Sequence, residues 1–217
     1  MPKVRCSKED RDIIRKKILD EVLTVISEQG FSSFNMRRLA SRLNLSVRTI
    51  SHYYSSKNEL YLMILTKGFS YLHELFSEIF ETRENPAFKL SKMIEAYIDF
   101  GINRAHYYNI MFTSDAPKYR DYIGTGIEPV AFLEKQTALK LFDITSRALQ
   151  EAAHDTKCIS DAEIHLFVFK IWSTLQGILS LYSIRILPEV DEDTEQIISY
   201  ITRDLQEPIV FHTAINA

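Results

Sequence analysis

The sequence predicts an all-α fold, and three observations carry that expectation. Only 6 Gly and 6 Pro occur in 217 residues, about half their average combined frequency, so the turn formers that an all-β chain needs are scarce. Apolar residues recur at three- and four-residue spacing along most of the chain, with no strand-like alternation of useful length. Hydrophobic residues make up 46% and charged residues 25%, the usage of a packed domain with a sizeable core rather than of a disordered or collagen-like chain.

The first helix is predicted over residues 9 to 29, where Ile14, Ile18, Val22, Val25 and Ile26 form one apolar stripe. Gly30 is expected to end it in the left-handed C-cap conformation, with Phe31 folding back onto its last turn. Asn35 is a good N-cap for a short second helix carrying Met36, Leu39, Ala40 and Leu43. Asn44 tolerates positive φ and reverses the chain, and Ser46 caps a third helix from Val47. Two short helices joined by such a turn make a helix-turn-helix. After Tyr54, Ser55 and Ser56 cap a long helix from Lys57 to about Thr82, which buries Leu60, Ile64, Leu72, Leu75 and Ile79 and stops at Asn85-Pro86.

Helices are expected near 87 to 102, 104 to 113, 127 to 153, 160 to 187 and 193 to 206, with a loop from Asp115 to Gly126. Ser160 and Glu163 form a capping box. The helix that they start is apolar on more than one face: Ile164, Phe167, Val168, Ile171, Leu175, Ile178, Leu179, Tyr182 and Ile186 lie on one side, and Leu166, Phe169, Trp172 and Leu181 elsewhere. Such a helix must be covered twice, by its own domain and by something else.

The net charge of −3 hides an asymmetry. Residues 1 to 60 hold 12 Lys and Arg against 7 Asp and Glu, a net of +5, and the rest is −8. A basic head on an acidic body predicts that only the head approaches a polyanion. Between Asn35 and Asn58 stand Arg37, Arg38, Arg42, Arg48 and Lys57 with no acidic residue, interleaved with Thr49, Ser51, His52, Tyr53 and Tyr54. Side chains of these types contact phosphates and base edges.

Other chemistries find little support. Cys6 and Cys158 are in no CxxC pair and read as reduced thiols, and His52, His73, His106, His154, His165 and His212 show no metal-ligand spacing. No nucleophile elbow, dinucleotide fingerprint or P-loop occurs. The expectation is therefore no enzyme, no metal and no cofactor. No N-terminal apolar export segment and no uninterrupted 18-residue apolar run is present, so the expected location is cytoplasmic with no membrane partner.

The stretch GFSSFNMRRLASRLNLSVRTISHYYSSKNEL closely resembles the DNA-binding motif of the tetracycline-repressor (TetR) family over about residues 12 to 62. Gly30-Phe31, Arg37, Leu39-Ala40, Leu45-Ser46 and His52-Tyr53-Tyr54-x-x-Lys57-x-x-Leu60 carry the likeness. Asn44, Arg48 and Ser51 depart from the family's usual residues; the last two alter the recognition surface, so no relative's operator sequence is transferred. Arg48 is either a base reader or a phosphate anchor. The segments Arg104 to Phe112 and Ile171 to Gly177 echo one subgroup, with Gln176 where that subgroup has His.

The resemblance implies a helix-turn-helix domain over 1–56 and a larger helical ligand-binding and dimerisation domain over 57–217. It implies a transcriptional regulator, in this family most often a repressor, that acts as a homodimer on a double-stranded DNA operator and is released by a small-molecule effector. The DNA-binding candidates are Asn35, Arg37, Arg38, Ser46, Val47, Arg48, Thr49, Ser51, His52, Tyr53 and Lys57. The candidate effector lining is Tyr97, Arg104, Tyr107, Met111, Phe112, Trp172 and Gln176, mostly aromatic with one amide, which favours a neutral or weakly polar molecule. The candidate dimer interface pairs Ile171, Leu175, Ile178, Leu179 and Tyr182 with Ile197, Ile201 and Leu205, and Gly177 would permit close approach. A different class of function shares the same head: an architectural or cell-division factor that recruits a protein partner without a small molecule.

Overall fold

The computed structural model describes residues 7–113, 116–153 and 159–205, and among them every regular element is helical. Cys6, His154, Cys158 and His212 lie outside the described residues. The chain forms two compact units, residues 1–69 with 106–137 and residues 70–105 with 138–217.

In the first unit, α1 (Lys8–Ser33) begins at a capping box between Ser7 and Asp10 and buries Ile18, Val22, Val25 and Ile26. Gly30 takes φ 76°, ψ 162°. Its φ is positive as expected, but this is not the left-handed helical cap, and a further turn runs to Ser33 before the buried Phe34 ends it. The Phe31 ring packs against Tyr61 with centroids 4.6 Å apart. The next two helices follow the expected punctuation. Asn35 Oδ1 accepts from Arg38 N–H at 2.9 Å to start α2 (Met36–Arg42), and Asn44 turns the chain at φ 53°. Ser46 Oγ accepts from Thr49 N–H at 2.9 Å to start α3 (Val47–Tyr53).

Helix α4 (Lys57–Phe80) starts with Ser56 capping Glu59 N–H and contributes to both units, as does α7 (Glu128–Ala152). Between these two helices the first unit contains α6 (Ala105–Tyr108), which runs on into a π-helical turn, Asn109–Thr113. Gly68 of α4 makes room for that turn, since a Cβ there would lie 2.5 Å from Met111 Sδ. Where a plain loop was expected, a 3-10 turn forms at Tyr119–Tyr122; Lys118 N–H donates to Asp121, and Tyr122 is buried with Leu62 and Ala131.

The second unit contains α5 (Pro86–Asn103), started by Asn85 with Pro86 in its first turn, and α8 (Asp161–Ser183), started by the Ser160–Glu163 capping box. Its core holds Leu90, Met93, Tyr97, Phe100, Val168, Ile171 and Leu175. By length and composition α8 alone among the described helices could cross a membrane, yet one of its faces packs this core. The helix expected to reach residue 187 stops at Ser183, and Arg185 at φ 61° separates it from α9 (Ile186–Val190). Pro188 is the cause: in a continuous helix its ring would clash with the carbonyl of Ile184. The last described element is α10 (Thr194–Asp204), capped by Asp193.

Candidate nucleic-acid interface

The capping bonds at Asn35 and Ser46 fix where α2 and α3 begin, and Ile50 is fully buried beneath α3. The opposite face of α3 presents Val47, Arg48, Ser51 and His52 to solvent, with Thr49 and Tyr53 half-buried beside them. Thr49 Oγ1 and Ser46 Oγ share a hydrogen bond of 2.8 Å, and the His52 ring stands edge-on to Tyr53 with centroids 5.5 Å apart. A short, exposed helix with hydroxyls, an imidazole and a guanidinium on one face has the dimensions and donor set that a DNA major groove accepts.

The five cations of this stretch divide in the structure. Arg37, Arg38 and Arg48 are exposed and form no ion pair among the described residues. Arg42 turns back onto α1, where its guanidinium bonds Glu28 at 2.8 Å and also Glu21. The hydrogen bond from Arg42 holds the Glu28 carboxyl below its usual range. Lys57 is half-buried; its ammonium donates to the carbonyls of Phe31 at 3.1 Å and Phe34 at 3.2 Å. Composition alone could not reveal either engagement, because the partners are far away along the chain.

The residues expected to line an effector pocket fall in both units. In the second, Gln176 Nε2 donates to Tyr97 Oη at 2.8 Å, and Tyr97 and Trp172 border an apolar cavity of about 10 Å³ with Phe76, Met93 and Leu175. Arg104 is exposed, its guanidinium lying 4.7 Å from the Tyr71 ring and donating to Tyr71 Oη. In the first, Tyr107 lies near Lys67, Met111 sits on the α4 backbone at Gly68, and Phe112 packs against Phe69 and Tyr108.

Five of the eight expected dimer residues are buried within the single chain. Ile171, Leu175, Ile178 and Leu179 are at most 4% exposed within the single chain, so they have no surface left to lose to a partner. Leu205 is also buried; Ile197 and Ile201 are half-buried, and Tyr182 is exposed. The exposed stripe of α8 is its other one: Leu166, Phe169, Ser173, Gly177, Ser180 and Leu181. A Cβ on Gly177 would meet nothing within 4 Å. Exposed Leu139 of α7 adds to the uncovered apolar surface of this unit, and Phe142 of α7 packs against Phe169 and Trp172. Both stripes of α8 are apolar, and the one richer in branched aliphatic residues went inside.

Glu134 of α7 went unnoticed in the sequence. Burial pushes its carboxyl up to about 7, against the opposing charge of Lys118. Nearby charge contributes to Tyr122 as well, although burial is the main cause that pushes its phenol up to about 12. Among the described residues no group of three or more His, Cys, Asp or Glu gathers in a metal-binding arrangement.

Residues 18–64 match the model of the bacterial regulatory proteins of the tetR family, and residues 90–205 match that of a tetracyclin repressor-like C-terminal domain. The chain is 25% identical over 155 residues to the HTH-type transcriptional activator FasR of Mycolicibacterium smegmatis, covering 69% of this chain and 67% of FasR. The TetR family regulator PfmR of Thermus thermophilus superposes with a TM-score of 0.67 at 15% identity, over 88% of this chain and 97% of PfmR. AibR, solved in complex with isovaleryl coenzyme A and operator DNA, gives 0.63 at 17% identity over 87% and 95% of the two chains. With an exposed, capped recognition helix in its N-terminal part and both of its parts matched, the chain belongs to the TetR family of DNA-binding transcriptional regulators.

Proposed function

We propose that the protein is a ligand-responsive regulator that binds a near-palindromic operator as a homodimer, one head per half-site. The observation that carries this reading is the solvent face of α3, where Val47, Arg48, Ser51 and His52 stand beside Arg37 and Arg38 of α2. In this reading α3 enters the major groove while Arg37, Arg38 and the hydroxyls of Ser46 and Thr49 meet phosphates. The dimer forms through the exposed α8 stripe with α7, because small residues at its centre let a second helix come close and the flanking Leu166 and Phe169 then lose exposed apolar surface.

The effector is an uncharged or weakly polar molecule admitted between Tyr97, Trp172 and Gln176, where the lining holds no charged side chain. AibR was solved with isovaleryl coenzyme A, whose short branched acyl group is the part that such an uncharged lining suits, so short neutral acyl esters are the first compounds to try. Release of DNA on binding makes the protein a repressor; tightening would make it an activator, as FasR is named. The test is selection of an operator from random duplexes, followed by fluorescence anisotropy with and without a panel of short neutral acyl esters and neutral aromatics. A duplex bound with the same affinity whatever its sequence would sink the regulator reading.

A further inference from the structure

The bend from α1 into α2 is built around one cation. Gly30, with its positive φ, kinks α1 one turn before its end, and the carbonyls at a helix end lose their helical donors. The Phe31 carbonyl receives Phe34 N–H at 3.2 Å, and both Phe31 and Phe34 carbonyls receive the Lys57 ammonium. That ammonium also lies 4.3 Å from the centroid of the Phe31 ring. The ring's other neighbour is Tyr61, one helical turn along α4, whose hydroxyl donates to the Ile110 carbonyl in the π-helical turn. The residue after Phe34 is Asn35, the N-cap that fixes the turn of α2 bearing Arg37 and Arg38.

We propose that Lys57 is a positioning residue of the DNA-binding head: it locks the α1–α2 bend, and so the placement of Arg37 and Arg38, instead of neutralising an operator phosphate. An ammonium has three donors and no acceptor. Two carbonyls and an aromatic face satisfy it inside the protein, and drawing it out to a phosphate would strip them all. The ammonium supplies donors to carbonyls that the kinked end of α1 leaves short of helical partners. The proposal rests on the reading that this head binds DNA, but the lock itself exists in the free protein.

The experiment compares Lys57→Met, Lys57→Arg and Arg37→Ala in the full chain. Amide exchange is measured without DNA, and operator affinity across a salt series. Lys57→Met is expected to speed exchange in residues 31 to 42 by about tenfold, the effect of losing charge-assisted hydrogen bonds, while α8 exchanges as before. Its operator affinity falls with the salt exponent unchanged, and Lys57→Arg restores both. Arg37→Ala leaves exchange unaltered and lowers the exponent by about 0.9 per head. Unchanged exchange in Lys57→Met, with an exponent lowered as in Arg37→Ala, would make Lys57 a phosphate anchor and overturn the proposal. Faster exchange along the whole chain would overturn it too, reducing Lys57 to general stability. If no duplex is bound by the wild type, the exchange measurements still judge the lock, and the regulator reading fails separately.

Discussion

The side chain of Leu179 in α8 lies directly on the backbone of α5 at Gly101, so close that a Cβ on that glycine would come 2.6 Å from Leu179 Cδ2. Gly101→Ala is therefore expected to overpack the core, at a cost of about 1–3 kcal/mol. Leu179→Ala removes the packed group and costs roughly 2–5 kcal/mol. Urea denaturation followed by circular dichroism measures both. A near-neutral Gly101→Ala would mean that α5 and α8 do not meet as closely as described.

Disrupting the uncovered stripe should act on assembly and not on the fold. Phe169→Glu is expected to yield a folded monomer by light scattering at micromolar concentration. Gly177→Leu makes a cleaner probe, because nothing in the single chain opposes a side chain there. It should weaken the dimer while leaving the thermal midpoint of the protomer equal or higher, since leucine favours helix over glycine by close to 1 kcal/mol. A Gly177→Leu protein that dimerises normally would move the interface elsewhere.

The head was legible in the sequence because its determinants are local. Asn35, Asn44 and Ser46 act on atoms within three residues of themselves. The body was not, because each missed feature depends on which distant surface a side chain meets. Periodicity shows two apolar stripes on α8 but not which one faces inward, and the aliphatic stripe was expected at the dimer seam although Ser173, Gly177 and Ser180 mark the second as the place for close approach. Pro188 was likewise a visible signal for the break before α9. Nothing local foretold the π-helical turn or the recruitment of Lys57 by carbonyls more than twenty residues away.

Salt and substitution together test the DNA surface. With Arg37, Arg38 and Arg48 each meeting one phosphate in both heads, the logarithm of operator affinity should fall against log salt with a slope of about −5. Arg48→Ala then separates its two possible roles. If it reads a guanine, discrimination at one position relaxes by about 1–3 kcal/mol; a uniform loss across operator variants assigns it to phosphate.

The pH dependence of stability should carry the mark of Glu134. Its carboxyl is raised from 4.5 to about 7 by burial. Between those values the folded protein keeps a proton that the unfolded chain has released, so stability falls as pH rises through that window. Glu134→Gln should match the wild type near pH 5 and melt a few degrees higher near pH 8. An equal difference at both pH values would show that another group is responsible.

Trp172 is the sole tryptophan and borders the small apolar cavity, so its emission should report any compound that enters there. Gln176→Leu removes the bond to Tyr97 at a cost of about 1–3 kcal/mol. It should blunt the effector response and spare operator affinity. A compound that releases DNA without altering Trp172 emission would place the effector site elsewhere.

Arg42 has a consequence for how a regulator finds its operator. A protein searching a chromosome must leave random DNA quickly, and its dwell time there grows with every phosphate it neutralises. By tying Arg42 to Glu21 and Glu28, the chain removes one guanidinium from that sequence-independent grip. In the free protein that guanidinium is occupied on α1, so Arg37, Arg38 and Arg48 are the arginines of α2 and α3 left exposed for phosphate.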